Sequence, residues 1–250
     1  MSERDPDVTL IGIDCAVQSK NMGIAVGRIS GRRVIIEEIC VGVNDPAQHV
    51  ASVVEDRSPA ILALDSPLGW PAEMGKVLNT HRASDPLSFD PNHLFRRETD
   101  RFIKRKIGKQ SLDVGADRIA RTAHAAVGQL SRIRLLTSKS IRLAWTGQKL
   151  QEISCIEVYP AATLEAIGLS SRGYKGSKEI HIRARERLLG DLNSVLKLSE
   201  EAATKAVAND DAFDAALCCV AAADFVGGNV LEPEDLEIAQ KEGWIWVRKP

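Results

Sequence analysis

The chain has 250 residues, 44% hydrophobic and 27% charged, with a formal net charge of −1. That is enough ordinary globular sequence for a single domain over 1–250 with a substantial core. No uncharged apolar run approaches membrane-spanning length. The odd count of five cysteines (Cys15, Cys40, Cys155, Cys218, Cys219), without C-x-x-C spacing, suggests neither a disulfide framework nor a zinc site.

The N-terminus is charged and lacks an apolar signal core, so the expected location is cytoplasmic, with the cysteines as small buried residues. Residues 8–16 are an apolar, β-branched run that ends in Asp14. A buried strand normally avoids Asp, which is costly to desolvate unless paired or metal-bound; capping the following turn is the plainer use of the same residue. Residues 21–29 and 33–41 read as two further strands around the short loop 30–32, and connections this short predict an antiparallel meander. Pro46 opens a helix with Val50, Val53 and Val54 on one face, ended by Ser58-Pro59. Residues 60–65 then repeat the first event, an apolar run closing on Asp65. Reached through a helix, this strand is expected parallel to the first, which puts Asp14 and Asp65 at one sheet edge, where open α/β sheets place their sites.

From 72 to about 150 the text turns helical and basic and reads as an insertion. Between His81 and Leu150 the net charge is +9, leaving −10 for the remainder. The run 96–106 suits a polyanion such as nucleic acid, or else a solvated helix face paired with its own acids. Residues 154–160 return to strand character, with Glu157 near the end. A helix through Leu164 and Ile167 follows, capped at Gly168. A loop at 173–176 precedes a helix from about 177 to 198 that carries Leu188, Leu192, Val195 and Leu196. The last long helix begins near Asn209 and closes at Gly227-Gly228, and residues 244–247 read as a short strand or tail. Capping accounts for Asp210. Asp211 and Asp214, three apart, share a face with Cβ atoms about 5–6 Å apart, and adjacent like charges repel unless a cation joins them.

Three strand ends and one helix start therefore present acids: Asp14, Asp65, Glu157 and the Asp211–Asp214 pair. Oxygen ligands without His or Cys suit a hard cation, Mg²⁺ or Mn²⁺, completed by substrate phosphates. Two such ions about 3.5–4 Å apart serve an in-line displacement. The histidines (His49, His81, His93, His124, His181) form no ligand pattern and read as surface or packing residues. There is no G-x-S-x-G, H-E-x-x-H or strand-borne G-x-G-x-x-G; residues 168–175 approach a phosphate loop, but Tyr174 stands in the lysine position.

The ordered set Gly12-Ile13-Asp14-Cys15-Ala16, Leu64-Asp65-Ser66-Pro67-Leu68-Gly69, Arg97-Glu98-Thr99-Asp100, residues 157–162, Gly173-Tyr174-Lys175 and residues 210–215 resembles the uncharacterised family of predicted RNase H-like nucleases, domain of unknown function 429. The resemblance spans nearly the whole chain. It implies an α/β, RNase H-like fold: a mixed five-stranded sheet, three strands antiparallel and two more parallel to the first, with helices on both faces. It also implies that Asp14, Asp65, Asp211 and Asp214 hold the catalytic metals, the Asp-x-x-Asp opening of the last helix being similar to that of Holliday-junction resolvases. Glu157 is a further candidate ligand. Arg97, Asp100 and Lys175 match family motifs and are candidate substrate-binding residues, Arg97 and Lys175 toward phosphate.

The leading expectation is a metal-dependent nuclease acting on DNA or RNA, with the basic insertion holding the backbone. The alternatives are a nucleic-acid-binding or scaffold protein without activity, and a small-molecule phosphotransferase or nucleotide hydrolase. Fold alone does not choose among them.

Overall fold

The computed structural model describes residues 7–115, 117–150 and 152–250. The first apolar run forms β1 (Thr9–Asp14), antiparallel to β2 (Gly23–Ser30), which pairs antiparallel with β3 (Arg33–Val41). α1 (Pro46–Glu55), capped by the Asp45 side chain, leads to β4 (Ala60–Asp65), parallel to β1. Four helices follow: α2 (Ala72–Leu78), α3 (Pro91–Leu94), α4 (Glu98–Ile107) and α5 (Asp117–Thr137). Then come β5 (Ile141–Leu143) and β6 (Ile153–Glu157), the latter parallel to both β4 and β5. α6 (Pro160–Ala166), α7 (Glu179–Asp191), β7 (Leu196–Leu198), α8 (Glu200–Ala208), α9 (Asp210–Val226) and α10 (Leu236–Glu242) complete the chain.

The strand order is β5-β6-β4-β1-β2-β3-β7, so β1 is central. The expected antiparallel meander and the parallel β4 and β6 are present, in a mixed α/β sheet covered on both faces. Among the described residues the sheet has seven strands where five were expected. Both additions are three-residue edge strands, β5 on β6 and β7 on β3, too short to show a period of two. β7 also corrects the helix expected over 177–198. The apolar spacing runs on past Asp191, but Leu196–Leu198 leave the helix to pair with Val34–Ile36 at the open edge of β3. Segment 72–150 is helical as expected, yet β5 within it belongs to the sheet.

Alternation along the central strands sorts the core. Leu10, Ile61 and Ala63 pack with Phe213, Ala216 and Val220 of α9 on one face. Ile11, Ile13, Leu62 and Leu64 pack with Val50 and Val54 of α1 and with Ala126, Leu130 and Ile133 of α5 on the other. Two glycines set how closely α9 lies on the sheet. A Cβ on Gly12 would stand 2.0 Å from the Ala215 carbonyl oxygen, and one on Gly23 would stand 2.1 Å from that of Asp211. Only glycine admits that approach. Among the described residues no helix is long and apolar enough to cross a membrane.

Candidate metal centre

Asp14 and Asp65 end β1 and β4 and are register partners across the parallel pair. α9 crosses the same strand ends. Asn209 caps it, accepting from the Ala212 amide at 2.9 Å, and the glycine contacts press its first turns against β1 and β2. Asp214 is thereby buried, with 1% of its surface exposed. One carboxylate oxygen from each of Asp14, Asp65 and Asp214 lies within 4.8 Å of the other two. Asp211, less buried, stands beside Asp14, close enough for the two carboxyls to share a hydrogen bond.

Acids this close resist ionisation together. Burial, then Asp214 and Asp65, hold the Asp14 carboxyl well above its usual range. Burial pushes Asp65 up to about 7, with Asp214 and Glu157 adding to it and Lys175 opposing. Asp211 is raised by burial and by Asp210. Burial also raises Asp214, against the pull of Lys175 and Tyr174. Lys175 Nζ sits 2.6 Å from Asp214 Oδ2, and the buried Tyr174 hydroxyl donates to Asp214 Oδ1 at 2.7 Å.

The loop that delivers Tyr174 and Lys175 is fixed from behind. The buried Arg185 of α7 donates to the carbonyls of Tyr174, Gly176, Val207 and Ala208, and the Gly176 amide donates to Asp210 at 2.9 Å. Arg185 thus ties loop 174–176 to the turn that opens α9. Asp14 and Asp65 border a cavity of about 400 Å³ whose lining includes Lys109, Tyr159 and Lys175. Lys109 reaches it with Nζ 2.7 Å from the Ser171 hydroxyl.

Glu157 does not join the three acids. Its register partner on β4 is Leu64, one residue short of the Asp14–Asp65 row. Its carboxylate is held bidentately by Arg97, at 2.6 and 2.7 Å, and accepts the Leu68 amide at 3.0 Å. Arg97 and Asp100 are themselves buried, 1% and 0% exposed. Arg97 also pairs with Asp100 through two 3.1 Å hydrogen bonds, and Asp100 accepts the Ser111 hydroxyl at 2.8 Å. The Arg97–Asp100–Glu157 triad therefore locks α4 to the end of β6 and to the loop after β4. The charge of Arg97, expected to meet phosphate, is directed at its own protein.

Much of the basic run is likewise paired internally. Arg101 and Arg105 meet Glu98, and Arg96 meets Asp113. Arg97, Lys109 and Lys175 are the cations among the residues that line the cavity.

A family model described as Protein of unknown function (DUF429) matches residues 12–238. The chain belongs to this family. Asp14, Asp65, Asp211 and Asp214 all fall inside the span matched to DUF429, as do Arg97, Glu157 and Tyr174. No curated protein matches the chain.

Sequence reasoning assigned no role to Tyr174 or Arg185. Tyr174 had a signal in its neighbour Lys175, since a residue beside a candidate site lysine shares its loop. Arg185 had none, because only the fold brings four carbonyls around it.

Proposed function

We propose that this DUF429 protein is a metal-dependent phosphodiesterase acting on DNA or RNA, built on an RNase H-like sheet. One observation carries the reading. Two parallel strand ends and a crossing helix converge three carboxylate oxygens within 4.8 Å beside an open cavity. The donor set is all oxygen, which fits Mg²⁺ or Mn²⁺, with Asp14, Asp65 and Asp214 as ligands and Asp211 completing the set. Bound there, such a cation supplies charge neutralisation to a phosphoryl group and a more acidic water.

The chain's own groups have separate tasks. Tyr174 and Arg185 orient Asp214 and the loop that faces it. Lys175 neutralises Asp214 and lines the cavity, where its ammonium would meet a phosphate oxygen. Lys109, on the cavity wall, is a second contact for a polyanionic backbone. The Arg97 triad supports the loop that follows Asp65.

The test is incubation of the purified protein with Mg²⁺ or Mn²⁺ and a panel of single-stranded, duplex, hybrid and branched nucleic acids. Cleavage that disappears in Asp14→Asn is expected. Cleavage no greater than in Asp14→Asn across the panel contradicts the proposal. Lys175 resting on Asp214 favours one alternative, a protein that binds nucleic acid without metal or turnover; its mark is salt-sensitive binding unchanged by EDTA and by Asp14→Asn.

A further inference from the structure

The opposite face of the sheet carries a second group of metal-ligating side chains of a different chemical kind. The register of β3 against β2 shifts between Val26 and Gly27, so Glu38 pairs with Val26 while Ile36 pairs with Gly27. A bulge of this kind inserts a residue and reverses which face the following side chains take. Before it, Val34 and Ile36 face the α9 core; after it, Ile39 does so, and Cys40 packs with the α1 core instead. Glu38 and Cys40, two apart on the strand, then share the face covered by α1, and His49 of α1 stands over them.

Cys40 Sγ is 3.5 Å from His49 Nε2, and His49 Nε2 is 3.7 Å from Glu38 Oε1. One ligand atom from each of the three lies within 4.8 Å of the others. Zinc bonds of about 2.3 Å to sulfur and about 2.0–2.2 Å to nitrogen or oxygen, at a tetrahedral angle, separate ligand atoms by roughly 3.3–3.6 Å. The Cys40 sulfur and the His49 ring nitrogen already stand at that spacing. The histidine is part-exposed and the glutamate half-exposed, with 25% and 51% of their side-chain surfaces accessible. Both side chains are thus open to an ion arriving from solvent.

We infer that Glu38, Cys40 and His49 form a binding site for a zinc-class divalent cation, separate from the carboxylate centre and selective against Mg²⁺ by its sulfur and nitrogen donors. Binding requires the Cys40 proton to leave to solvent as the metal–sulfur bond forms. The bound ion would tie β3 to α1, two elements otherwise joined by a short loop and apolar packing. Softness of ligand separates the two centres. An all-carboxylate set takes the hard cation, and this one takes the borderline cation.

Co²⁺ titration of the full-length protein in excess Mg²⁺ tests the inference, because a thiolate–cobalt charge-transfer band reports sulfur ligation and is independent of catalysis. A band saturating at one Co²⁺ per chain is expected in the wild type, in Asp65→Asn and in Cys15→Ser. It should vanish in Cys40→Ser, vanish or lose its intensity in His49→Gln, and require more than about tenfold higher Co²⁺ in Glu38→Gln, since loss of even an outer partner weakens a metal site by about 10–100-fold. Absence of any band in the wild type overturns the site, as does a band that survives Cys40→Ser or is lost in Cys15→Ser. His49→Gln, at a part-exposed helix position, keeps the test readable if Cys40→Ser fails to fold.

Discussion

The carboxyls of Asp14 and Asp65 stand side by side because β1 and β4 run parallel and in register to their last residues. A slip of one residue would turn either acid to the opposite sheet face, among the side chains of α1 and α5. The apolar alternation of both strands fixes this register, so the same pattern that builds the core also assembles the site.

Metal-free protein should be less stable near neutral pH than in mild acid. With its folded-state pKa raised to about 7 by burial, Asp65 holds a proton that the unfolded chain releases near about 4. The stability from that difference is fully present below the unfolded value and is lost as pH rises through the folded one. Asp14 and Asp214 shift in the same direction. Thermal melts in EDTA are expected to show Tm falling between about pH 4 and pH 8 over the part of the range governed by these acids. Mn²⁺ should raise Tm more at pH 8 than at pH 6, and a gain that shrinks with pH would count against the assignment.

Gly12→Ala should displace α9. Its Cβ would meet the Ala215 carbonyl oxygen at 2.0 Å, backbone that cannot swing aside. Overpacking of this kind costs about 1–3 kcal/mol or more, roughly 2–12 °C in Tm for a chain of this size. Because α9 carries Asp211 and Asp214, Mn²⁺ affinity should fall as well. An alanine variant with both properties intact would show that the helix is not seated as described.

Arg97→Met leaves Asp100 and Glu157 buried without their cation. Breaking a buried ion network in this way costs about 3–5 kcal/mol, readable in urea denaturation at neutral pH. Mn²⁺ binding by the folded fraction should persist, since neither Asp100 nor Glu157 belongs to the group of three acids. Loss of metal binding at unchanged stability would instead place Arg97 in the site.

Lys175→Met removes the fixed positive charge 2.6 Å from Asp214. The metal-free protein should lose stability at neutral pH, and the Tm gain on adding Mn²⁺ should exceed that of the wild type, because the ion no longer competes with the ammonium. If Lys175 also meets phosphate, the KM for a nucleic-acid substrate rises while metal affinity does not fall. Differential melts with and without Mn²⁺ separate these effects.

The parts of the fold nearest the acids were legible in the sequence for a physical reason. β1 and β4 are apolar runs that each end in a carboxylate, and α9 opens on Asn-Asp-Asp with Asp214 one turn later. Such costly placements stand out against strand and helix preferences. β5 and β7 did not stand out, since three residues carry no periodicity and their pairing depends on a neighbour's open edge. Helix α7 was over-extended because Val195 and Leu196 keep helical spacing while serving the sheet. Glu157 looked like a ligand because it also ends a strand; the partner that claims it, Arg97, lies 60 residues away. Cys40 and His49 gave no pattern because a bulge and a helix crossing bring them together.

The central claim is that Asp14, Asp65 and Asp214 together hold a hard divalent cation. The most direct measurement is Mn²⁺ titration of the chelator-treated protein followed by the paramagnetic resonance of free Mn²⁺, in the wild type, Asp14→Asn, Asp65→Asn and Cys40→Ser. Depletion of the free-ion signal by the wild type and by Cys40→Ser, with loss of that depletion in both Asp variants, is the predicted result. A wild type that leaves the free-ion signal untouched at neutral pH, or Asp variants that deplete it equally, would contradict the account.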